Sequence, residues 1–135
     1  MQFIWKPMHG SLGDEVEIFT GIMRDHYGWP PGIDIQRTPI TSRNALEYAA
    51  KMLYYVYEVS KNYRGNHFLL PMGTDFAYMN ARENFESMDN LIESFNSLDM
   101  GATLLYSTPS MYLDALKSQN ITWPSKTTDM MPYAD

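Results

Sequence analysis

The chain has 135 residues, of which 44% are hydrophobic, so it can build one core and is expected to be one domain or part of one. Its formal charge of -6, from 16 acidic and 10 basic side chains, provides no basic field for a nucleic acid or an anionic membrane surface. It contains no cysteine, which excludes disulfides and thiolate metal sites, and no apolar run approaches the roughly 20 residues that span a bilayer.

Loops and one long helix are predicted in the first half of the chain. Glycines and prolines interrupt residues 1–40, apart from a short strand-like run at 16–19. From Thr41 or Ser42, apolar residues recur at helical spacing to about residue 63, which predicts an amphipathic helix over 42–63. A continuous apolar run at 67–72 follows, and such a run is typical of a strand buried on both faces.

The second half of the chain repeats the alternation of helix and strand. Asn80 with Glu83 resembles a capping box, which predicts a second helix over 81–98. Residues 102–106 are again apolar and predict a second buried strand. Thr108-Pro109 then supplies an N-cap and a first-turn proline for a third helix.

Strands that alternate with helices of this length indicate a right-handed βαβ unit, so the predicted fold class is α/β with a parallel sheet. Two strands alone would leave their edges unpaired and one face poorly covered. We therefore expect the chain to be an incomplete part of a larger parallel-sheet domain.

The aromatic content is high, with 10 tyrosines, 3 tryptophans and 6 phenylalanines. Aromatic rings suit the apolar faces of sugars, and tyrosine hydroxyls can bond to sugar hydroxyls. The same rings also serve as ordinary core residues, so composition does not decide between the two roles.

Asp75, in the sequence Gly73-Thr74-Asp75-Phe76, is the candidate catalytic residue. In parallel α/β folds the reactive groups lie on loops that leave the carboxyl ends of the strands, and this loop follows the first predicted strand. An aspartate at such a place also commonly stabilises a turn or caps a helix. The local pattern leaves both roles open.

Four blocks in the same order carry a family resemblance: Leu70–Ala81, Met88–Ile92, Tyr106–Leu113, and Asn120–Pro124 with Asp129–Asp135. The first is similar to Met-Gly-Ser-Asp-Phe-x-Tyr-x-Asn-Ala, and the third to Tyr-Ser-Thr-Pro-x-x-Tyr-Leu, of the lysosomal α-mannosidases in glycoside hydrolase family 38. Golgi relatives carry two acidic residues where this chain has Thr74-Asp75, so the lysosomal type is the better match. The resemblance identifies residues 1–135 as the carboxyl-terminal portion of a distorted β/α barrel-like catalytic domain, with no second domain.

The resemblance implies a zinc-dependent retaining exo-α-mannosidase, lysosomal or secreted, that hydrolyses terminal α-mannosyl linkages of N-glycans. Asp75 would be its general acid/base. Tyr27 and Asp135 match residues beside the substrate, a mannose-containing oligosaccharide. Asn120 begins an N-glycosylation sequon with Ile121 and Thr122.

Several family segments have no counterpart here. No stretch resembles Trp-Gln-x-Asp-Pro-Phe-Gly-His, which carries the nucleophile, nor the His-x-Asp and His-His-Asp segments that hold zinc. The histidines His9, His26 and His67 have no spacing that groups them with a carboxylate on one element. We therefore expect no metal ligands in this chain, no membrane or nucleic-acid partner, and a requirement for the rest of the catalytic domain.

Two other interpretations remain open from the sequence. The chain could be a non-catalytic module that binds mannosides without cleaving them, or an inactive truncated gene product. We also expect no secretory signal in it, because residues 1–7 lack a long apolar stretch.

Overall fold

The fold combines a pair of long helices with a small mixed sheet. It is a computed structural model that describes residues 2–130. In chain order the elements are β1 (Gln2–Trp5), α1 (His9–Leu12), β2 (Ile18–Gly21), α2 (Ala45–Ser60), α3 (Ala81–Ser97), α4 (Pro109–Ser118) and β3 (Ser125–Lys126). None of the helices in this range is long and apolar enough to cross a membrane.

Helices α2 and α3 form the main core, and both were predicted from the spacing of their apolar residues. Ala49 and Met52 of α2 are buried against Leu91 and Phe95 of α3. These positions recur every three or four residues, which places them on one face of each helix. Burial of this face is the main favourable contribution to helix stability, since isolated helices of this length are marginal in water.

The segment 33–40 completes this core, although the sequence indicated only a loop there. Ile33, Ile35 and Ile40 are almost completely buried. Helix α3 also binds the backbone of Ile40, whose N–H donates to Ser87 Oγ at 3.1 Å and whose carbonyl oxygen accepts from Asn90 Nδ2 at 3.0 Å. A non-regular segment can therefore be buried here because side chains satisfy its backbone groups.

The sheet has the order β2-β1-β3. Strand β1 pairs antiparallel with β2, with Gln2 opposite Gly21, and parallel with β3, with Ile4 opposite Ser125. The strand-like run at 16–19 is thus confirmed in part by β2. The other two strands were not predicted.

Helix α4 begins as its sequence indicates. The Thr108 side chain accepts a hydrogen bond from the N–H of Met111 at 3.2 Å, and Pro109 occupies the first turn. The capping box predicted for α3 does not form. Asn80 makes no side-chain cap, and its Nδ2 instead donates to Glu83 Oε2 at 2.5 Å.

The two predicted strands at 67–72 and 102–106 do not form within residues 2–130, so the predicted parallel βαβ unit is not present there. Both segments instead lay apolar side chains, Leu70 and Leu104 among them, against the helix pair. Asn96 of α3 takes the place of a strand partner for Leu104, because its Oδ1 accepts from the Leu104 N–H at 2.8 Å and its Nδ2 donates to the Leu104 carbonyl at 2.9 Å. The structure therefore supports a mixed α/β fold, but not the barrel-like parallel sheet.

Candidate active site

Asp75 lies on an exposed loop that precedes α3. The loop turns sharply, since Gly73, Phe76 and Tyr78 have φ angles of 147°, 58° and 67°. The N–H of Ala77 donates to the carbonyl oxygen of Thr74 at 3.0 Å and closes a turn around the aspartate. This geometry presents the carboxylate to solvent, where a ligand can reach it.

A tyrosine far away in the sequence contacts this carboxylate. The Tyr27 hydroxyl donates to Asp75 Oδ1 at 2.7 Å. The hydrogen bond to Asp75, followed by the charge of the carboxylate and slight desolvation, raises the pKa of Tyr27 above its ordinary value. Two of the residues predicted from the family resemblance therefore lie together.

The loop that carries Tyr27 is held against the loop that carries Asp75. The N–H of Gly73 donates to the Gly28 carbonyl oxygen at 3.4 Å, and Gln36 Nε2 donates to the Phe76 carbonyl oxygen at 3.5 Å. Asp34 supports this arrangement, because its Oδ1 accepts from the N–H of Gln36 at 3.1 Å. The role of Asp34 is therefore turn stabilisation.

A cavity of about 200 Å³ lies beside Tyr27, and residues 23–26 and 28–31 form part of its lining. Its lining includes Asp25, His26, Trp29, Tyr55 and Tyr63. The Tyr55 hydroxyl donates to Asp25 Oδ2 at 3.5 Å, and burial is the main cause that raises the pKa of Tyr55 and of Tyr63. The cavity therefore combines aromatic rings, neutral phenols and a carboxylate in one concave surface.

The remaining predicted residues lie elsewhere. Asn120 is exposed just after α4 with a φ of 49°, on a different loop from Asp75. Asp135 lies outside the described residues. His26 and His67 are both exposed, and the side chain of His9 is also outside what the structure describes.

The zinc site that the family resemblance implies does not fit the residues of this chain that the structure describes. Between residues 2 and 130, no group of three histidine, cysteine, aspartate or glutamate side chains could hold a metal ion. A catalytic zinc site needs about three protein ligands, so Asp75 with Tyr27 cannot form one.

Sequence reasoning did not single out Gln36, which contacts the Asp75 loop, or Tyr78, which belongs to that loop. The Tyr78 hydroxyl donates to the carbonyl oxygen of Met72 at 2.7 Å. Neither residue has a local spacing that reveals this contact. Tyr78 was part of the family resemblance, and its position three residues after Asp75 was the one available signal.

An exposed carboxylate on a fixed loop, with a phenol bonded to it and an aromatic cavity nearby, is an arrangement suited to hydrolytic enzymes of carbohydrates. The comparisons with known proteins agree with this class. The whole chain, residues 1–135, matches the N-terminal domain of glycosyl hydrolases family 38, and the chain belongs to this family.

The curated relatives that match the chain include proteins named as lysosomal alpha-mannosidases. The chain is 37% identical to the lysosomal alpha-mannosidase of Dictyostelium discoideum, 33% identical to that of Cavia porcellus and 31% identical to that of Homo sapiens. Each match covers 100% of this chain but only 14% to 15% of the relative. The relatives are thus glycoside hydrolases, and the chain spans a small part of their length.

Proposed function

We propose that this chain is a carboxyl-terminal portion of the catalytic domain of a zinc-dependent retaining exo-α-mannosidase of the lysosomal type. Its substrate would be a mannose-containing oligosaccharide, cleaved at the terminal α-mannosyl linkages of N-glycans. The proposal is supported by the family match over residues 1–135 and by the names of the relatives.

Asp75 would be the general acid/base of the reaction. It would protonate the departing glycosidic oxygen, and in the second step remove a proton from the water that attacks the glycosyl-enzyme. The observation that carries this assignment is the exposed Asp75 carboxylate, held at 2.7 Å by the Tyr27 hydroxyl on the loop that precedes α3. Tyr27 would orient one carboxylate oxygen and leave the other to face the substrate.

The rest of the protein would complete the site. A retaining glycosidase uses a second carboxylate about 5 Å from the first as its nucleophile, and we propose that this group comes from a part of the catalytic domain beyond the chain. The same applies to the zinc ligands, because residues 2–130 do not supply them. Asp135 would bind substrate in that complete site.

The side chains that line the cavity beside Tyr27 are suited to binding a sugar. Trp29 and Tyr55 offer rings for stacking on the apolar face of a pyranose, while the Asp25 carboxylate can accept bonds from sugar hydroxyls. The lysosomal relatives favour a lysosomal or secreted location, and N-glycosylation at the exposed Asn120 would agree with it.

The direct experiment is Asp75→Asn in the full-length protein. We expect turnover of a natural mannosyl oligosaccharide to fall by about 10²- to 10⁴-fold, since a general acid/base contributes about that much, while folding and zinc content stay nearly unchanged. Aryl mannosides with activated leaving groups should lose less in the glycosylation step, because their departure hardly needs a proton. Rapid-quench measurements separate this step from hydrolysis of the glycosyl-enzyme.

Asp114→Asn is the matched control, because Asp114 is an exposed aspartate on α4 and lies outside the loop. This variant should leave the turnover of both substrates unchanged. Equal loss of glycosylation rate for the natural and the activated substrate in Asp75→Asn would rule out the acid role.

A further inference from the structure

One tyrosine closes the loop that carries Asp75. The Tyr78 hydroxyl donates to the Met72 carbonyl oxygen at 2.7 Å, which joins two residues six positions apart on either side of the aspartate. Met88 Sδ, on α3, lies 3.2 Å from the same hydroxyl. The contact therefore ties both ends of the loop together and places them against the helix.

The loop needs such a contact because its backbone is unfavourable. Phe76 and Tyr78 have φ angles of 58° and 67°, in the left-handed region that non-glycine residues avoid. Conformations of this kind persist where the surrounding structure holds them in place. The orientation of Asp75 thus depends on how firmly the ends of the loop are fixed.

The ring of Tyr78 is itself held in place. Its centroid lies 6.0 Å from that of Trp29 and 5.6 Å from that of Phe85. A Cβ atom added at Gly73 would lie 3.1 Å from Cε2 of the ring, so the glycine backbone approaches the ring closely. Burial raises the pKa of Tyr78, which agrees with a protonated phenol that donates its hydrogen bond.

We infer that Tyr78 is a positioning residue for Asp75, and this inference rests on the proposed acid/base role of that aspartate. The hydroxyl holds the Met72 carbonyl so that the loop presents the carboxyl group to the glycosidic oxygen. Proton transfer requires the two oxygens to be within hydrogen-bonding reach, and a displacement of about 1 Å can reduce a rate by about 10²-fold.

The test is Tyr78→Phe in the full-length protein, which removes the hydroxyl and keeps the ring. We expect kcat for a natural mannosyl oligosaccharide to fall by about 10- to 100-fold with little change in KM. The rate at which an activated aryl mannoside forms the glycosyl-enzyme should fall much less. Azide, which attacks the glycosyl-enzyme without help from a general base, should restore part of the turnover of the aryl substrate.

Tyr106→Phe is the matched control. The Tyr106 hydroxyl donates to Asp89 Oδ1 at 2.8 Å, and its ring lies 6.0 Å from Phe85, so this variant loses a similar bond in the same group of aromatic rings. It should retain kcat on both substrates. Gly73→Ala, which adds the close Cβ atom at a φ of 147°, should change the kinetics in the same direction as Tyr78→Phe.

The outcomes separate this inference from the proposed function. Wild-type kinetics in Tyr78→Phe, while Asp75→Asn is inactive on natural substrate, would overturn the positioning role alone. An equal loss on both substrates without azide rescue would also overturn it, because a general structural defect predicts that pattern. Full activity of Asp75→Asn would instead overturn the proposed function.

Discussion

The Tyr27 hydroxyl donates to Asp75 Oδ1 at 2.7 Å across 48 residues of chain. This bond, with the carboxylate charge, raises the pKa of Tyr27 above its ordinary value. Because the folded-state pKa is the higher one, the contribution of the bond to stability is complete below about pH 10. It is lost as the pH rises through the raised pKa of Tyr27.

We expect Asp75→Asn to lower the pKa of Tyr27 toward that of a free tyrosine, because the amide carries no charge. A pH titration of tyrosine Cζ signals by NMR, with carbon-13 labels, measures this shift. Asp89→Asn is the control, since the bond to Asp89 adds to the effect of burial in raising the pKa of Tyr106. It should move the Tyr106 signal and leave that of Tyr27 in place; a Tyr27 titration unaffected by Asp75→Asn would show that the pair does not form in solution.

Ser87 provides a test of the buried segment 33–40. Ser87→Ala removes the acceptor of the Ile40 N–H and leaves that group buried without a partner. We expect the free energy of unfolding to fall by about 1–3 kcal/mol, the range for an unsatisfied buried polar group. Urea denaturation followed by circular dichroism measures the change.

Ser97→Ala is the matched control for this substitution. Ser97 is exposed and donates to the carbonyl oxygen of Ser94 on the same helix. Removal of the Ser97 hydroxyl should change the free energy of unfolding by less than about 0.5 kcal/mol. Similar values for the two variants would contradict the role of Ser87 in fixing the buried segment.

Thr108 should stabilise the first turn of α4. Thr108→Ala removes the side-chain acceptor of the Met111 N–H and should destabilise the protein by about 1 kcal/mol. Thr108→Ser keeps an equivalent oxygen and should have a much smaller effect. Thermal unfolding of the three proteins distinguishes them, and equal losses in both variants would point to the methyl group rather than the cap.

We expect the 135-residue chain by itself to bind no stoichiometric zinc and to hydrolyse no mannoside. Residues 2–130 offer no cluster of three ligands, and the proposed nucleophile lies beyond the chain. Metal analysis of the purified chain and an aryl α-mannoside assay measure both properties. One tightly held zinc together with turnover above background would show that the chain carries a different part of the enzyme.

Local sequence was sufficient to predict the helices α2, α3 and α4. The spacing of apolar residues from Ala45 to Val59 and from Met88 to Phe95 encodes one buried face on each, and Thr108-Pro109 encodes the start of α4. These signals act within a few residues, so they can be interpreted before the fold is known. The family resemblance likewise depended on short ordered blocks, and the family match confirms it.

Contacts between distant segments were decided by the tertiary structure. A strand exists only where another segment supplies hydrogen-bond partners, which is why β1 formed from residues 2–5 without being predicted, while the apolar run at 67–72 packed on the helices. The pairing of Tyr27 with Asp75 depends in the same way on how the two loops dock. Composition and periodicity do not encode such distances, because they arise from packing between elements that are far apart in the chain.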